Sequence, residues 1–138
     1  LNILGPRLAK KKITIEKQYL SEHPEIIGDA TQLEQVFTNL VNNAIDALDY
    51  SGKMIIRIHN IDKDRILWSL EDNGIGMDQS TKDSIFSPFF TTKSEEKGTG
   101  LGLYIVKNIC KNHNAEITCE SANGHGTTFN ILFQIQEL

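Results

Sequence analysis

The chain has 138 residues, 39% hydrophobic, 23% charged and 7% aromatic, which fits one domain and argues against a repeat array, a collagen-like chain or a disordered tail. Its 14 Lys+Arg against 18 Asp+Glu give a net charge of −4, the wrong sign for binding nucleic acid through counterion release. No run of about 18 apolar residues and no charged-then-apolar signal pattern at the N-terminus occurs, so the expectation is a cytoplasmic domain without direct membrane contact.

A domain of this size buries roughly 68–70% of its unfolded surface and needs neither metal nor disulfide for its core. Cys110 and Cys119 therefore read as reduced packing residues. The first residue, Leu1, is not a methionine, which reads as a piece of a longer protein, with 1–138 forming one domain of it.

From Lys11 to Tyr19, Ile13 and Ile15 alternate with polar neighbours, the pattern of a strand interrupted around Pro24. Asp29 then stands as an N-cap with Gln32 three residues on, and Leu33, Val36, Phe37, Leu40, Ala44 and Leu48 recur at helical spacing up to Gly52. Met54, Ile56 and Ile58, then Ile66, Trp68 and Leu70, alternate around the polar Asp62, Lys63 and Asp64, which predicts a hairpin. From Asp72 to Gly98 periodicity fails, with at most a short helical turn near Ser80 to Phe86, and long loops inside small domains are usually functional. A second helix is expected from Thr99 to His113, ended by a left-handed Asn114. Ala115, Ile117 and Cys119 form a further strand, and Phe129, Ile131, Phe133 and Ile135 another after the turn at Gly124 to Gly126. This order predicts an α/β (α+β) two-layer sandwich, with a mixed, largely antiparallel sheet of about five strands and helices on one face.

Seven of the ten glycines follow Asn73. The cluster Gly98-Thr99-Gly100-Leu101-Gly102-Leu103 opens the second helix, where unspent N–H groups and the helix dipole favour an anionic phosphate. A glycine-rich helix entry with no ligand is the alternative, and neither the dinucleotide fingerprint nor a Gly-x4-Gly-Lys-Ser/Thr loop is present. Asn39, Asn43 and Asp46 share one stripe of the first helix; it reads either as a hydrated magnesium site or as a solvated edge. Asp72, aimed out of a strand end, can accept from an exocyclic amine such as adenine's, or simply start an Asx turn.

Taken in order, Asn39-Leu40-Val41-Asn42-Asn43-Ala44, Asp72-Asn73-Gly74-Ile75-Gly76-Met77, the segment Ile85 to Lys93, the cluster Gly98 to Leu103, and Gly124-His125-Gly126-Thr127-Thr128-Phe129 resemble the ATP-binding domain of sensor histidine kinases. They look like its N, G1, F and G2 boxes and its terminal glycine-threonine turn, over nearly the whole chain from Ile13. The resemblance implies the Bergerat ATP-binding sandwich, shared with DNA gyrase, mismatch-repair and heat-shock chaperone ATPases, with ATP under a mobile lid. It implies that Asn43 ligates Mg2+ with Asn39 beside it, that Asp72 recognises the adenine amine, and that Gly74 and Gly76 let the ring sit close. Thr127 would support adenine through a water. Gly98, Thr99, Gly100, Leu101, Gly102 and Leu103 would cradle phosphate, and Thr92 to Lys97 would form the lid, with Lys93 reaching a phosphate. The short lid and Thr91-Thr92-Lys93 resemble the nitrogen-regulation and sporulation kinases.

In water-splitting members of the superfamily a Glu base stands four residues before the magnesium Asn; here that position is Asn39, which cannot take a proton. This favours transfer to histidine over hydrolysis. Asp46 stands where many histidine kinases carry a basic residue, and would order water around the ion. None of His23, His59, His113 and His125 lies in a helical hairpin or at zinc spacing; they read as surface or turn residues, so the acceptor histidine and dimerisation hairpin are expected just before Leu1. Phe86, Phe89 and Phe90 are expected to anchor their loop to the body and, by the resemblance, to contact that hairpin, and Lys10 to Lys12 to be a solvated strand end, with a partner surface as the alternative. The implied partners are the dimerisation domain of a homodimeric parent and a response regulator receiver domain, the fragment alone being monomeric. Rival readings are a serine kinase of the anti-sigma-factor type, which would carry Glu at position 39, and a nucleotide-sensing module without transfer.

Overall fold

The computed structural model describes residues 5–19, 28–48, 51–90 and 101–134. In chain order they form α1 (Gly5–Lys11), β1 (Thr14–Tyr19), α2 (Ala30–Ala47), β2 (Lys53–Asp62), β3 (Arg65–Asp72), α3 (Gln79–Ser84), α4 (Gly102–Asn112), β4 (Glu116–Ser121) and β5 (Thr127–Gln134). The five strands make one mixed sheet in the order β1-β2-β3-β5-β4. Only β1 and β2 run parallel, because α2 lies between them and carries the chain back, whereas the two-residue turn after β2 dictates an antiparallel partner.

Period-two alternation gives the sheet one apolar face. Met54, Ile56, Trp68, Leu70, Phe129, Ile131 and Phe133 are buried there against Val36, Leu40, Val41 and Ile45 of α2 and Val106, Ile109 and Cys110 of α4. Phe37 closes over Trp68 with ring centroids 4.8 Å apart. The opposite face is polar: Lys53 pairs with Glu16 at 3.0 Å, Arg57 with Glu71 at 3.3 Å, and Ser69 donates to Asn130 Oδ1 at 2.7 Å. Core packing by one face explains the two-layer sandwich that the alternation predicts.

The Asp29 side chain accepts from Gln32 N–H at 3.0 Å and starts α2 as expected. The helix stops at Ala47 rather than running to Gly52, because Leu48 turns to extended backbone and buries its side chain in the core. Lys11 is not in a strand: it ends α1, which the pattern did not show, and β1 begins at Thr14. Nor is it solvated. Its ammonium donates to Ile45 O at 2.9 Å and Leu48 O at 3.2 Å, supplying the cation that the last turn of α2 lacks.

The second helix begins at Gly102 within the described residues and is followed by Asn114 at φ 53°, the left-handed residue expected. His113 is a turn residue, as read, at the C-cap of α4, and it is also a tie between helices. Its Nε2 accepts from Asp29 N–H at 3.0 Å, and its Nδ1 lies 2.8 Å from Ile109 O. A carbonyl can only accept, so Nδ1 is the donor in that contact, and the ring ties the end of α4 to the start of α2. Cys110 and Cys119 are free thiols, as read from composition, and burial pushes both up to about 11.

Candidate nucleotide site

The described site residues gather at one end of the sheet and along α2. In the β3–β5 register Asp72 stands opposite Thr127, and in the β4–β5 register Thr127 stands opposite Ser121. Residues opposite one another on antiparallel strands share a face, so these three polar side chains form one rung at the end of the apolar face. Asp72 is 6% and Thr127 7% exposed.

The Asp72 carboxylate is held by backbone: Oδ1 accepts from Gly74 N–H at 2.9 Å, and Thr127 N–H also reaches it. Both readings of Asp72 thus coexist, since its Asx turn uses one side of the carboxylate. Desolvation raises its carboxyl above the ordinary range, and the two N–H groups oppose that rise. A buried carboxylate with acceptor capacity left is built to meet a donor.

Gly74 and Gly76 are also required by the backbone packed around them. A Cβ on Gly74 would stand 2.5 Å from the Ala47 carbonyl oxygen, and one on Gly76, whose φ is +70°, 1.9 Å from that of Ala122. The loop after β3 is therefore pressed onto the end of α2 and the β4–β5 turn. Ile75 N–H donates to Ala47 O at 3.4 Å, and Gly124 N–H to Ile75 O at 2.7 Å. Ser121 holds the same junction by accepting from Met77 N–H at 2.8 Å and donating to Gly126 O at 2.9 Å. Ser121 was not singled out from the sequence, although alternation through Ile117 and Cys119 places position 121 on the inner face.

On α2, Asn39 and Asn43 are half-buried, one turn apart, and Asp46 is exposed. Asn39 Nδ2 donates to Gly102 O at 3.3 Å, joining α2 to the start of α4. Leu101 is the N-cap of α4 and gives no side-chain cap; Gly102 and Leu103 follow it in the first turn, whose N–H groups have no intrahelical acceptor. Thr92, Lys93, Gly98, Thr99 and Gly100, with the expected lid, lie outside the described residues.

Among the described residues no three His, Cys, Asp or Glu side chains gather into a metal cage. Amide oxygens on α2 suit magnesium all the same, an ion that takes few protein ligands and shares its shell with phosphate and water. Phe86 stacks edge-on against Phe129, with centroids 6.4 Å apart, and Phe90 packs on the core, both anchoring the loop as expected. Phe89 does not: at φ 64° it turns outward and is 73% exposed. No helix among the described residues is long and apolar enough to cross a membrane.

Residues 28–137 match the histidine kinase-, DNA gyrase B- and HSP90-like ATPases, and the chain belongs to that family. It is 34% identical over 137 residues to sporulation kinase E of Bacillus subtilis (strain 168), covering 99% of this chain but 18% of that protein. Among solved structures it is similar to the nucleotide-free catalytic domain of histidine kinase ThkA, with a TM-score of 0.84 and 31% identity over 96% of this chain and 87% of that one. It is also similar to ThkA in complex with the response regulator protein TrrA, with a TM-score of 0.80 and 27% identity over 98% of this chain and 38% of that one. The fold is that of the catalytic ATP-binding domain of histidine kinases.

Proposed function

We propose that this chain is the catalytic ATP-binding part of a sensor histidine kinase, which binds Mg-ATP and presents the γ-phosphate to a histidine on the dimerisation domain of its parent. The observation that carries the reading is the buried rung of Asp72 and Thr127 beside the asparagine stripe of α2 and the start of α4. Asp72 would accept from the adenine amine, with Thr127 assisting through a water. The N–H groups at Leu101, Gly102 and Leu103, with those at Gly98, Thr99 and Gly100, would receive phosphate oxygens, and Thr92 and Lys93 would close over them. Asn43 would hold Mg2+, which when bound neutralises charge on the phosphates.

Asn39 supports transfer rather than hydrolysis. Its amide cannot remove a proton from water, and it already donates to Gly102 O. The phosphohistidine would then be drawn on by the receiver domain of a response regulator, a reading supported by the similarity to ThkA, whose structure includes such a partner. The parent would be a homodimer, soluble or membrane-anchored, with this domain in the cytoplasm and the chain alone a monomer.

Calorimetric titration with a non-hydrolysable ATP analogue, with and without magnesium, tests the binding step. Mixing the chain with the acceptor hairpin of its parent and radiolabelled ATP should then give acid-labile phosphate on the hairpin. Binding without transfer would leave a nucleotide-sensing module instead.

A further inference from the structure

Lys11 meets the junction between α2 and β2 with both its side chain and its backbone. The ammonium donates to Ile45 O at 2.9 Å and Leu48 O at 3.2 Å, and the carbonyl oxygen accepts from Ser51 N–H at 2.9 Å. The last turn of α2 carries no basic residue of its own, so the cation that offsets the partial charge of its carbonyls comes from α1. Helix α1 is itself tied down. Ile13 N–H donates to Leu8 O at 3.0 Å and Lys12 N–H to Ala9 O at 3.2 Å, while Leu8 packs on the core.

Between Ile45 and Leu48 stands Ala47, whose carbonyl oxygen accepts from Ile75 N–H at 3.4 Å. This contact has no slack. A Cβ on Gly74 would stand 2.5 Å from that oxygen and 2.9 Å from Asp72 Oδ1, so the loop after β3 is pressed between the end of α2 and the Asp72 carboxylate. Close-packed groups pass a displacement on instead of absorbing it. A last turn that tilts or frays therefore carries with it Gly74 N–H and its 2.9 Å bond to Asp72.

Resting on the nucleotide-binding reading above, we propose that Lys11 is a positioning residue for the nucleotide site: acting through the last turn of α2, it keeps Gly74 and Ile75 in place and so couples α1 to nucleotide affinity. Such coupling is reciprocal. A bound nucleotide tightens the Lys11 contacts, and a displacement of α1 loosens the hold on the nucleotide.

The test is calorimetric titration of the 138-residue chain with ADP in magnesium, together with hydrogen exchange of its backbone amides. Lys11→Met keeps the stem and deletes the donor. In the folded variant ADP affinity should fall about fivefold, the scale of one net hydrogen bond, and Lys11→Arg, which returns a cation with several donors, should restore it. Lys10→Met, on the exposed neighbour, should bind ADP as the unaltered protein does. A role in stability alone would lower the folded fraction and leave the affinity of folded molecules unmoved. In the unaltered protein ADP should slow exchange at the Lys12, Ile13 and Ser51 amides, and in Lys11→Met that slowing should be lost. The first half of this readout needs no variant, so it decides the matter even if Lys11→Met does not fold.

Full ADP affinity in a folded Lys11→Met protein, no recovery with arginine, or amides around Lys11 that are indifferent to ADP in the unaltered protein would each overturn the coupling and leave the nucleotide reading standing. Failure of the unaltered protein to bind ADP overturns both.

Discussion

Asn39 and Gly102, 63 positions apart, are joined by an amide-to-carbonyl hydrogen bond of 3.3 Å that ties the middle of α2 to the first residue of α4. The contact accounts for an amide at position 39 more directly than proximity to a metal does: a carboxylate there could not donate to the Gly102 carbonyl. Asn39→Leu keeps the side chain's size and removes the donor. The expected cost is about 1 kcal/mol of stability in urea denaturation. Binding of the ATP analogue should weaken about tenfold, since the start of α4 loses its anchor. Undiminished affinity in calorimetry would assign Asn39 to stability alone.

Which parts were legible in the sequence follows from how far each signal reaches along the chain. The stripe Leu33 to Leu48, the alternation through β2 and β3, and the N-cap at Asp29 are local patterns, and each predicts its element, although α2 ends at Ala47, short of the expected Gly52. Helix α1 has seven residues ending in Lys10 and Lys11, too few turns for a 3.6-residue period to emerge, so its polar end passes for the start of a strand. Lys11 and His113 act across gaps of 34 and 84 residues, and nothing in a lysine run or a lone histidine states which carbonyl or amide it will meet. The rung of Asp72, Thr127 and Ser121 lies between these cases. Its faces follow from alternation, but its register depends on where the loops at Gly74 and Gly126 let the strands begin.

Asn43 lies one turn beyond Asn39, half-buried between the core residues Leu40 and Ala44. If its amide oxygen holds magnesium, Asn43→Ala should lower affinity for the ATP analogue in magnesium to the level seen with EDTA, removing the dependence on the ion. The thermal midpoint of the nucleotide-free protein should move by less than about 4 °C. Magnesium dependence retained in full would place the metal contact elsewhere.

Lys11→Met keeps the stem that crosses the end of α2 and deletes the charge that caps it. With the Ile45 and Leu48 carbonyls deprived of their cation, the expected loss is about 1–2 kcal/mol in denaturant unfolding. Lys10→Met and Lys12→Met, on the exposed neighbours, should stay within about 0.5 kcal/mol of the unaltered protein. Equal effects at all three positions would mean that net charge and not this cap is responsible.

Asp72 links the chemistry of the site to the stability of the fold. Burial raises its carboxyl against the restraint of the Gly74 and Thr127 N–H groups, so the native state keeps this proton to a higher pH than the unfolded chain does. Between the two values the native state binds more protons, and stability falls as pH rises. At neutral pH the ionised group is therefore a cost, relieved as pH drops through its raised native value. Asp72→Asn should raise the thermal midpoint by about 3 °C at pH 7, and the gain should vanish at acidic pH, where both side chains are uncharged. The same change should weaken ATP binding about 100-fold or more, because an amide can turn a donor toward the adenine amine where the carboxylate accepts. A variant that is more stable and still binds ATP normally would remove Asp72 from base recognition.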